Sequence, residues 1–497
     1  MEFPYLTLII FLPAAGALII AFAKRLSPRQ IKYAALIATA IPLVLSLVLF
    51  ALFDRSGAMA GAVQFEENVS WIPLIDAFYH IGVDGLSLPM VLLTALLGFL
   101  VILISWKIEL RVRQYFAWLL LLETSILGVF CSLDLLLFFV FWEIEIIPMF
   151  FLISIWGAGR KEYSAIKYVI YTLFGSALML AGILSLYFAT GSLNMVELAQ
   201  TDLAPLASVI PIAAIFFLLL AGFAVKLPVV PLHTWLPDAH TDAPTAVSVM
   251  LAGTLIKMGG YGMIRICLSI FPQVAHDYAP LLLTLAAINV VYGAAITLKQ
   301  TDLKRLIAYS SISHMGFVLL GIFALGEVSL VGASLQMFSH GIITGLLFAI
   351  AGIVMHNTGE RNIGKLGGLT RQMPAVAVMF TIGGLGAMAV PATSGFIAEV
   401  MVFLGAFSST AVSGVQIYTI ICLLGILLAA AYILLTLQRV FFGPRLEKFN
   451  AVKDADRVEK TYGIIFIAMM FLVGIYPMIL IDVIKSGILP IAALFGG

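Results

Sequence analysis

The chain has 497 residues, of which 62% are hydrophobic and 11% charged, with a formal net charge of +1; its mean hydropathy is +1.12. A soluble domain carries roughly 25% charged residues, so a water-soluble fold is excluded. With positive and negative charge nearly balanced, no nucleic-acid partner is expected.

Apolar runs of about 20 residues, each long enough to cross roughly 30 Å of hydrocarbon, recur from Tyr5 almost to the C-terminus. Fourteen transmembrane helices are expected, beginning near Tyr5, Tyr33, Gly85, Gln114, Leu133, Ser164, Val209, Pro244, Ala279, Leu303, Val328, Pro374, Gly414 and Lys460. The first is expected to be retained, because its positive charges (Lys24, Arg25, Arg29, Lys32) follow it and no small-residue cleavage site is present. The polar gap from Asp54 to Asp84 is too short for a catalytic domain and reads as a small amphipathic cap on one membrane face. The three cysteines have neither metal-ligand nor disulfide spacing. Positive charge is retained on the cytoplasmic side, and alternate loops taken as inside hold 22 of the 27 basic residues when both termini lie outside. Arg55, Arg265 and Lys485 are then outside, and Lys226 and Lys257 lie within helices.

Two helices carry breaks. The seventh reads LLLAGFAVKLPVVPLHTWLP, where Pro228 and Pro231 leave the carbonyls of Ala224 and Leu227 without helical partners. The twelfth reads TIGGLGAMAVPATSGFIAEV, where Pro391 does the same to Ala387 among several glycines. The breaks are 163 residues apart, and the helices starting near Gln114 and Ala279 are 165 apart. Paired broken segments at matching positions are the mark of an internal repeat around a transport site. Five helices per unit is an odd number, so the second unit enters the membrane from the opposite side. The expected division is an N-terminal part (1–113) with the outside loop, a first inverted repeat (114–270, helices 4–8), a second (279–443, helices 9–13), and an inside loop with a fourteenth helix (444–497).

A charged side chain at a helix centre costs about 2.5–3.5 kcal/mol on insertion scales unless it pairs or meets water. Nevertheless Glu123 (LLLLETSILG), Glu143 and Glu145 (FFVFWEIEIIPMFF), Lys226 (FAVKLP), Lys257 (LAGTLIKMGGYG), His314 (SSISHMGF), His340 (LQMFSHGIITG) and Glu399 (GFIAEVMVF) all fall in apolar segments. A single membrane histidine commonly just bridges helices, so His314 and His340 gain weight only together. The lysines are stronger candidates, being too far from a helix end to reach water easily. Glu143 stands five residues before Pro148, which frees the Ile144 carbonyl. A carboxylate and a lysine on neighbouring helices stabilise each other's charge, so moving one proton changes the other site: such a pair is a switch. Glu145, about 200° around the helix from Glu143, is expected to face a different partner, such as an adjoining subunit. Asp238, His240 and Asp242 in WLPDAHTDAP are expected to serve a polar re-entry loop rather than a metal. No cofactor or metal is expected in this chain.

The segments FFVFWEIEIIPMFFLISIWG, VKLPVVPLHTWLPDAHTDAPTAVSVMLAGTLIKMGGYGMIR and KQTDLKRLIAYSSISHMGF closely resemble the antiporter-like subunits of respiratory and photosynthetic complex I, of the M type (NuoM/NdhD). The resemblance implies fourteen helices with an inverted five-helix repeat. It also implies a proton relay in which Glu143 and Lys226 form the coupled pair, Lys257 holds the central proton, His314 and His340 carry it onward, and Glu399 is the terminal acid. Glu123, Glu145 and His233 are secondary candidates. L-type relatives and multisubunit sodium/proton antiporters usually carry lysine where Glu399 stands, so Glu399 argues against the sodium/proton alternative. The implied partners are other membrane subunits of complex I on both sides, the peripheral redox arm through them, and lipid. The expected location is a bacterial cytoplasmic membrane or another energy-transducing membrane such as a thylakoid.

Overall fold

The computed structural model describes residues 3–496 except 24, 56–61, 204–210 and 445. The charge at Lys24 and the expected helix start near Val209 therefore lie outside the described residues. Among the described residues, twelve helices are long and apolar enough to cross a membrane, and three shorter apolar helices (Ile212–Lys226, Pro374–Ala387 and Ser394–Ser408) accompany them. The protein is an all-α, multi-pass membrane protein, and among the described residues its one sheet is a two-stranded hairpin.

That hairpin replaces the expected amphipathic cap. Gln64–Ile72 pairs antiparallel with Ala77–Val83, and the alternation of Phe65, Val69 and Trp71 with polar neighbours is the period-2 pattern of a strand. The Glu67 carboxylate accepts from the amides of Leu6 (2.9 Å) and Thr7 (3.2 Å) at the start of the first helix. There it satisfies orphan donors at the positive end of the helix dipole.

Two helices, Thr245–Leu268 and Glu327–Thr358, are buried along their whole apolar stretch, as expected of segments apolar on every face. The first is not regular: Leu251–Leu255 and Met263–Leu268 are π-helical turns flanking the α-helical Ile256–Gly262. It packs against the end of the Ile212–Lys226 helix so tightly that Gly259 has no space for a Cβ beside the Phe223 carbonyl and the Leu227 amide.

Both expected breaks are present. Ile212–Lys226 stops and helix resumes at Trp235–Asp242; Pro374–Ala387 stops and helix resumes at Ser394–Ser408. In the first break the Ala224 carbonyl is not left free, because the Val229 amide donates to it at 2.8 Å. Asn289 adds two bonds: its Oδ1 accepts from the Val230 amide at 2.7 Å and its Nδ2 donates to the Pro228 carbonyl at 3.2 Å. Trp235 Nε1 donates to the Val225 carbonyl at 2.9 Å. Protein groups thus supply what unwound backbone requires away from water.

The two parts of the chain share one further local motif. Asp134 caps the helix at Leu135 and bridges Asn194, while Asp302 caps the helix at Leu303 and bridges Asn362. Each pair of equivalent positions is separated by the same 168 residues. The backbone ladders correspond too, with Leu135 N to Leu193 O at 2.8 Å matching Leu303 N to Arg361 O at 3.0 Å.

At the C-terminus, the single helix expected after Lys460 is two, Arg457–Ile475 and Met478–Ala493. Pro477 between them lacks the amide needed to continue the first. The second lies with Gly487 against the backbone of Gly85 and Leu86, where neither glycine has room for a Cβ.

Asn289→Leu removes both side-chain bonds to the first break and leaves the buried Val230 amide unsatisfied. It is expected to cost about 1–3 kcal/mol, read as a lower thermal midpoint of the purified assembly; an unchanged midpoint would show that the break is held by other means.

Candidate proton-relay site

The side chains singled out in the sequence fall into two groups at the broken and π-helical segments. In the first group Lys226 is the last residue of its half-helix, where the negative end of the helix dipole favours its ammonium. Its Nζ forms an ion pair with Glu145 Oε1, both side chains being fully buried. Tyr168 Oη donates to the other oxygen, Glu145 Oε2, at 2.5 Å and lies 3.5 Å from the lysine nitrogen. The rings of Trp142 and Tyr168 flank the ammonium at 5.2 and 5.6 Å, close enough for cation–π attraction.

This arrangement corrects the expected pairing of Glu143 with Lys226 and the expected outward orientation of Glu145. The helix Leu135–Ile144 ends in a turn at Glu145 and restarts at Ile146, because Pro148 has no amide for the Ile144 carbonyl. The ion-pair partner of Lys226 is Glu145, and Glu143 stands close enough to both for their charges to act on it. Glu143 is only partly buried, and its Oε1 forms no hydrogen bond with a described residue.

The second group is a line of contacts. Lys257 Nζ donates to the Ala252 carbonyl, an acceptor in the first π-helical turn, and lies 2.7 Å from His340 Nδ1. The His340 and His314 rings are 5.5 Å apart between centroids. His314 Nδ1 is 3.1 Å from Glu399 Oε1, which also accepts from Gln336 Nε2 at 3.3 Å. Glu399 lies about one turn into Ser394–Ser408, the half-helix that follows the second break. The space among His314, His340, Gln336, Thr344 and Glu399 is about 10 Å³, enough for roughly one water. Lysine, two imidazoles and a carboxylate therefore stand in sequence, each able to exchange a proton with the next directly or across a single water.

The remaining candidates lie apart. Glu123 is buried against Gly98, its Oε1 without a described partner. His233 lies in the first break with its ring edge-on to Tyr292 at 5.1 Å. His240 stacks on Phe348 at 4.6 Å. Asp238 pairs with Lys167 (2.7 Å) and Arg305 (3.3 Å), and Asp242 accepts from Ser164 Oγ at 2.7 Å. These acids are thus engaged in holding the re-entry loop. Among the described residues no group of three or more His, Cys, Asp or Glu is placed to hold a metal ion.

Tyr168, Asn289 and Gln336 were not anticipated. Tyr168 follows Lys161 and Lys167, a setting that reads as an aromatic residue at the membrane surface. Asn289 and Gln336, as amides in apolar helices, carried a signal of the same kind as the histidines.

The family model described as "NADH:quinone oxidoreductase/Mrp antiporter, TM" matches residues 132–425, a stretch that contains all six candidate positions. The chain is 40% identical to NADH-quinone oxidoreductase subunit M of Rhodobacter capsulatus, over 97% of this chain and 95% of that protein. The chain belongs to the M-type antiporter-like subunits of complex I. It is also 41% identical to NAD(P)H-quinone oxidoreductase chain 4 1 of Synechococcus sp. (strain JA-3-3Ab), over 96% of this chain and 90% of that one. Its structure is similar to a chain of respiratory complex I from Thermus thermophilus with bound NADH, with a TM-score of 0.87 and 27% identity, covering 99% of this chain and 100% of that one. A chain of the Mrp complex from Dietzia sp. DQ12-45-1b shares the fold, with a TM-score of 0.85 at 20% identity, covering 100% of this chain and 98% of that one.

Removing one member of a buried ion pair leaves the other charge uncompensated, which costs about 3–5 kcal/mol. Glu145→Ala is therefore expected to lower the thermal midpoint of the purified assembly clearly more than Glu143→Ala. The reverse order would return the pairing to Glu143.

Proposed function

We propose that this chain moves protons across an energy-transducing membrane as an antiporter-like subunit of complex I, driven by redox chemistry in partner subunits. The observation that carries the reading is the line Lys257–His340–His314–Glu399, with its central lysine and first histidine on the two fully buried helices. Lys226 and Glu145 act as a switch beside it. While the carboxylate holds the ammonium, the positive charge near Lys257 is partly neutralised; separating them raises the local potential and favours release of the Lys257 proton. Glu143 and Glu123 are accessory acids, and His233 is an accessory base near the first break.

Counting each broken helix as one crossing gives fourteen, with both termini on the non-cytoplasmic side. Residues 114–270 and 279–443 form two inverted five-helix repeats, preceded by 1–113 and followed by 444–497. The repeated Asp–Asn bridge at a constant spacing supports that division. Neighbouring antiporter-like subunits and lipid are assigned to the exposed apolar faces, such as those bearing Phe174, Phe188 and Leu427, and the peripheral redox arm acts through those neighbours.

The alternative is a subunit of a multisubunit sodium/proton antiporter. The pairing of Glu399 with His314 favours proton transfer, because an imidazole and a carboxyl group exchange protons at ordinary pH. Lys226→Ala and Lys257→Met are each expected to abolish this subunit's proton pumping in the reconstituted complex while assembly persists, measured as protons moved per electron with and without sodium. Full pumping in either variant, or a pumping signal that requires sodium, would overturn the assignment.

A further inference from the structure

The helix Lys161–Thr190 reaches the Lys226 site because small residues let it approach. A Cβ built on Gly175 would lie 3.1 Å from the Val225 side chain and 3.4 Å from Gly222 Cα, and one built on Gly222 would lie 3.0 Å from the Gly175 carbonyl. Membrane helices come this close where glycines meet. Tyr168 stands seven residues before Gly175, two turns away on the same face, and so falls beside the end of Ile212–Lys226. Its side chain is fully buried and packs edge-on against Trp235 at 5.3 Å. Trp235 is the first residue of the half-helix after the break, and its indole is bonded to the Val225 carbonyl, one residue before Lys226. The phenol is therefore held in place by its ring, and its hydroxyl is free to bond. A phenol hydroxyl has one proton to donate and lone pairs with which to accept. Here the proton goes to Glu145 Oε2 at 2.5 Å, and the oxygen stands 3.5 Å from Lys226 Nζ, in position to accept. With the ammonium on Glu145 Oε1, the carboxylate divides its charge between two donors, and the phenol touches both ends of the ion pair.

We propose that Tyr168 is the positioning residue that allows the Lys226–Glu145 pair to open. This rests on the reading of that pair as a switch. A buried charge that loses its partner is costly, so two bare charges would make separation of the pair slow. As the ammonium swings off Oε1 on its four-carbon stem, the phenol bond stays on Oε2 and the carboxylate is never without a donor. The phenol oxygen meanwhile accepts one N–H of the departing lysine. Tyr168 keeps its own proton throughout, and no bond is made or broken other than hydrogen bonds. Two consequences follow from the shared charge on Glu145. A hydroxyl that donates more strongly leaves less charge on Oε1 for the ammonium and eases separation. Without the hydroxyl, the carboxylate has Lys226 as its partner on one oxygen and nothing on the other, and the pair stays shut.

The test uses the complete complex reconstituted in liposomes, following protons per electron, the rate of electron transfer to quinone, and subunit content. Tyr168→Phe keeps the ring that packs on Trp235 and removes only the hydroxyl. It is expected to lose at least half of the protons per electron lost in Lys226→Ala, with subunit content unchanged. Monofluorotyrosine and difluorotyrosine incorporated in place of Tyr168 keep the shape of the side chain and make its hydroxyl a stronger donor. Assayed below the pH at which that hydroxyl ionises, they are expected to keep full pumping and to raise turnover in order of fluorination, by about twofold across the series; a side chain that only fills space would not respond. The same residues in place of Tyr171, whose hydroxyl is bonded to Thr234 Oγ1 at 2.7 Å, are expected to leave turnover unchanged. If Lys226→Ala loses pumping while Tyr168→Phe pumps fully, the role of Tyr168 is overturned and the switch stands. If Lys226→Ala itself pumps fully, the reading of the switch fails and the role of Tyr168 with it. A flat or falling turnover across the fluorinated series, or an equal rise in place of Tyr171, also overturns the role. Where Tyr168→Phe does not assemble, the fluorinated series decides alone.

Discussion

An amine cannot sit in the middle of a dry helical bundle without an answer for its charge. Lys257 is fully buried, and the structure answers with two acceptors, a carbonyl in a π-helical turn and an imidazole nitrogen. The carbonyl lies in a π-helical turn, where the regular α-helical pairing is interrupted. From that one constraint follow the position of His340 on the other fully buried helix, the place of His314 beside it, and the acid Glu399 that ends the line. The same constraint recurs at Lys226, answered there by a carboxylate, a phenol and two aromatic faces.

Much of this was legible in the sequence because proline and charge are conspicuous in an apolar chain. Pro228, Pro231 and Pro391 marked both breaks, and the residues of the second contact line were all visible as anomalies of composition. Their order in space was not. Glu143 and Glu145 were read as facing different ways, but which of them pairs with Lys226 depends on the direction the helix takes after the turn at Glu145. A kink of that kind is set by packing against neighbouring helices rather than by local residues. The hairpin was missed although its alternation is present, because a short strand beside long apolar helices gives a weak signal. The π-helical turns left no mark in the sequence; they lie on either side of the α-helical segment that packs at Gly259 against the Ile212–Lys226 helix.

The two parts of the chain solve one problem with different chemistry. Each has a helix interrupted at mid-length, and each is opened by an aspartate that caps a helix and bridges an asparagine. At the first break stands a lysine matched to a carboxylate; beyond the second stands a carboxylate matched to an imidazole. Each break therefore has a buried carboxylate near it, held by an ammonium at the first and facing an imidazole beyond the second. In the proposed relay Glu399 is the terminal acid.

The most direct test of the central claim is a density map of the assembled complex detailed enough to show ordered water around Lys257, His340, His314 and Glu399. The account predicts that each of these side chains reaches the next directly or through a single water, and that Lys226 contacts Glu145. A dry gap between His340 and His314 too wide for one water to span, in every state of the working complex, would contradict it.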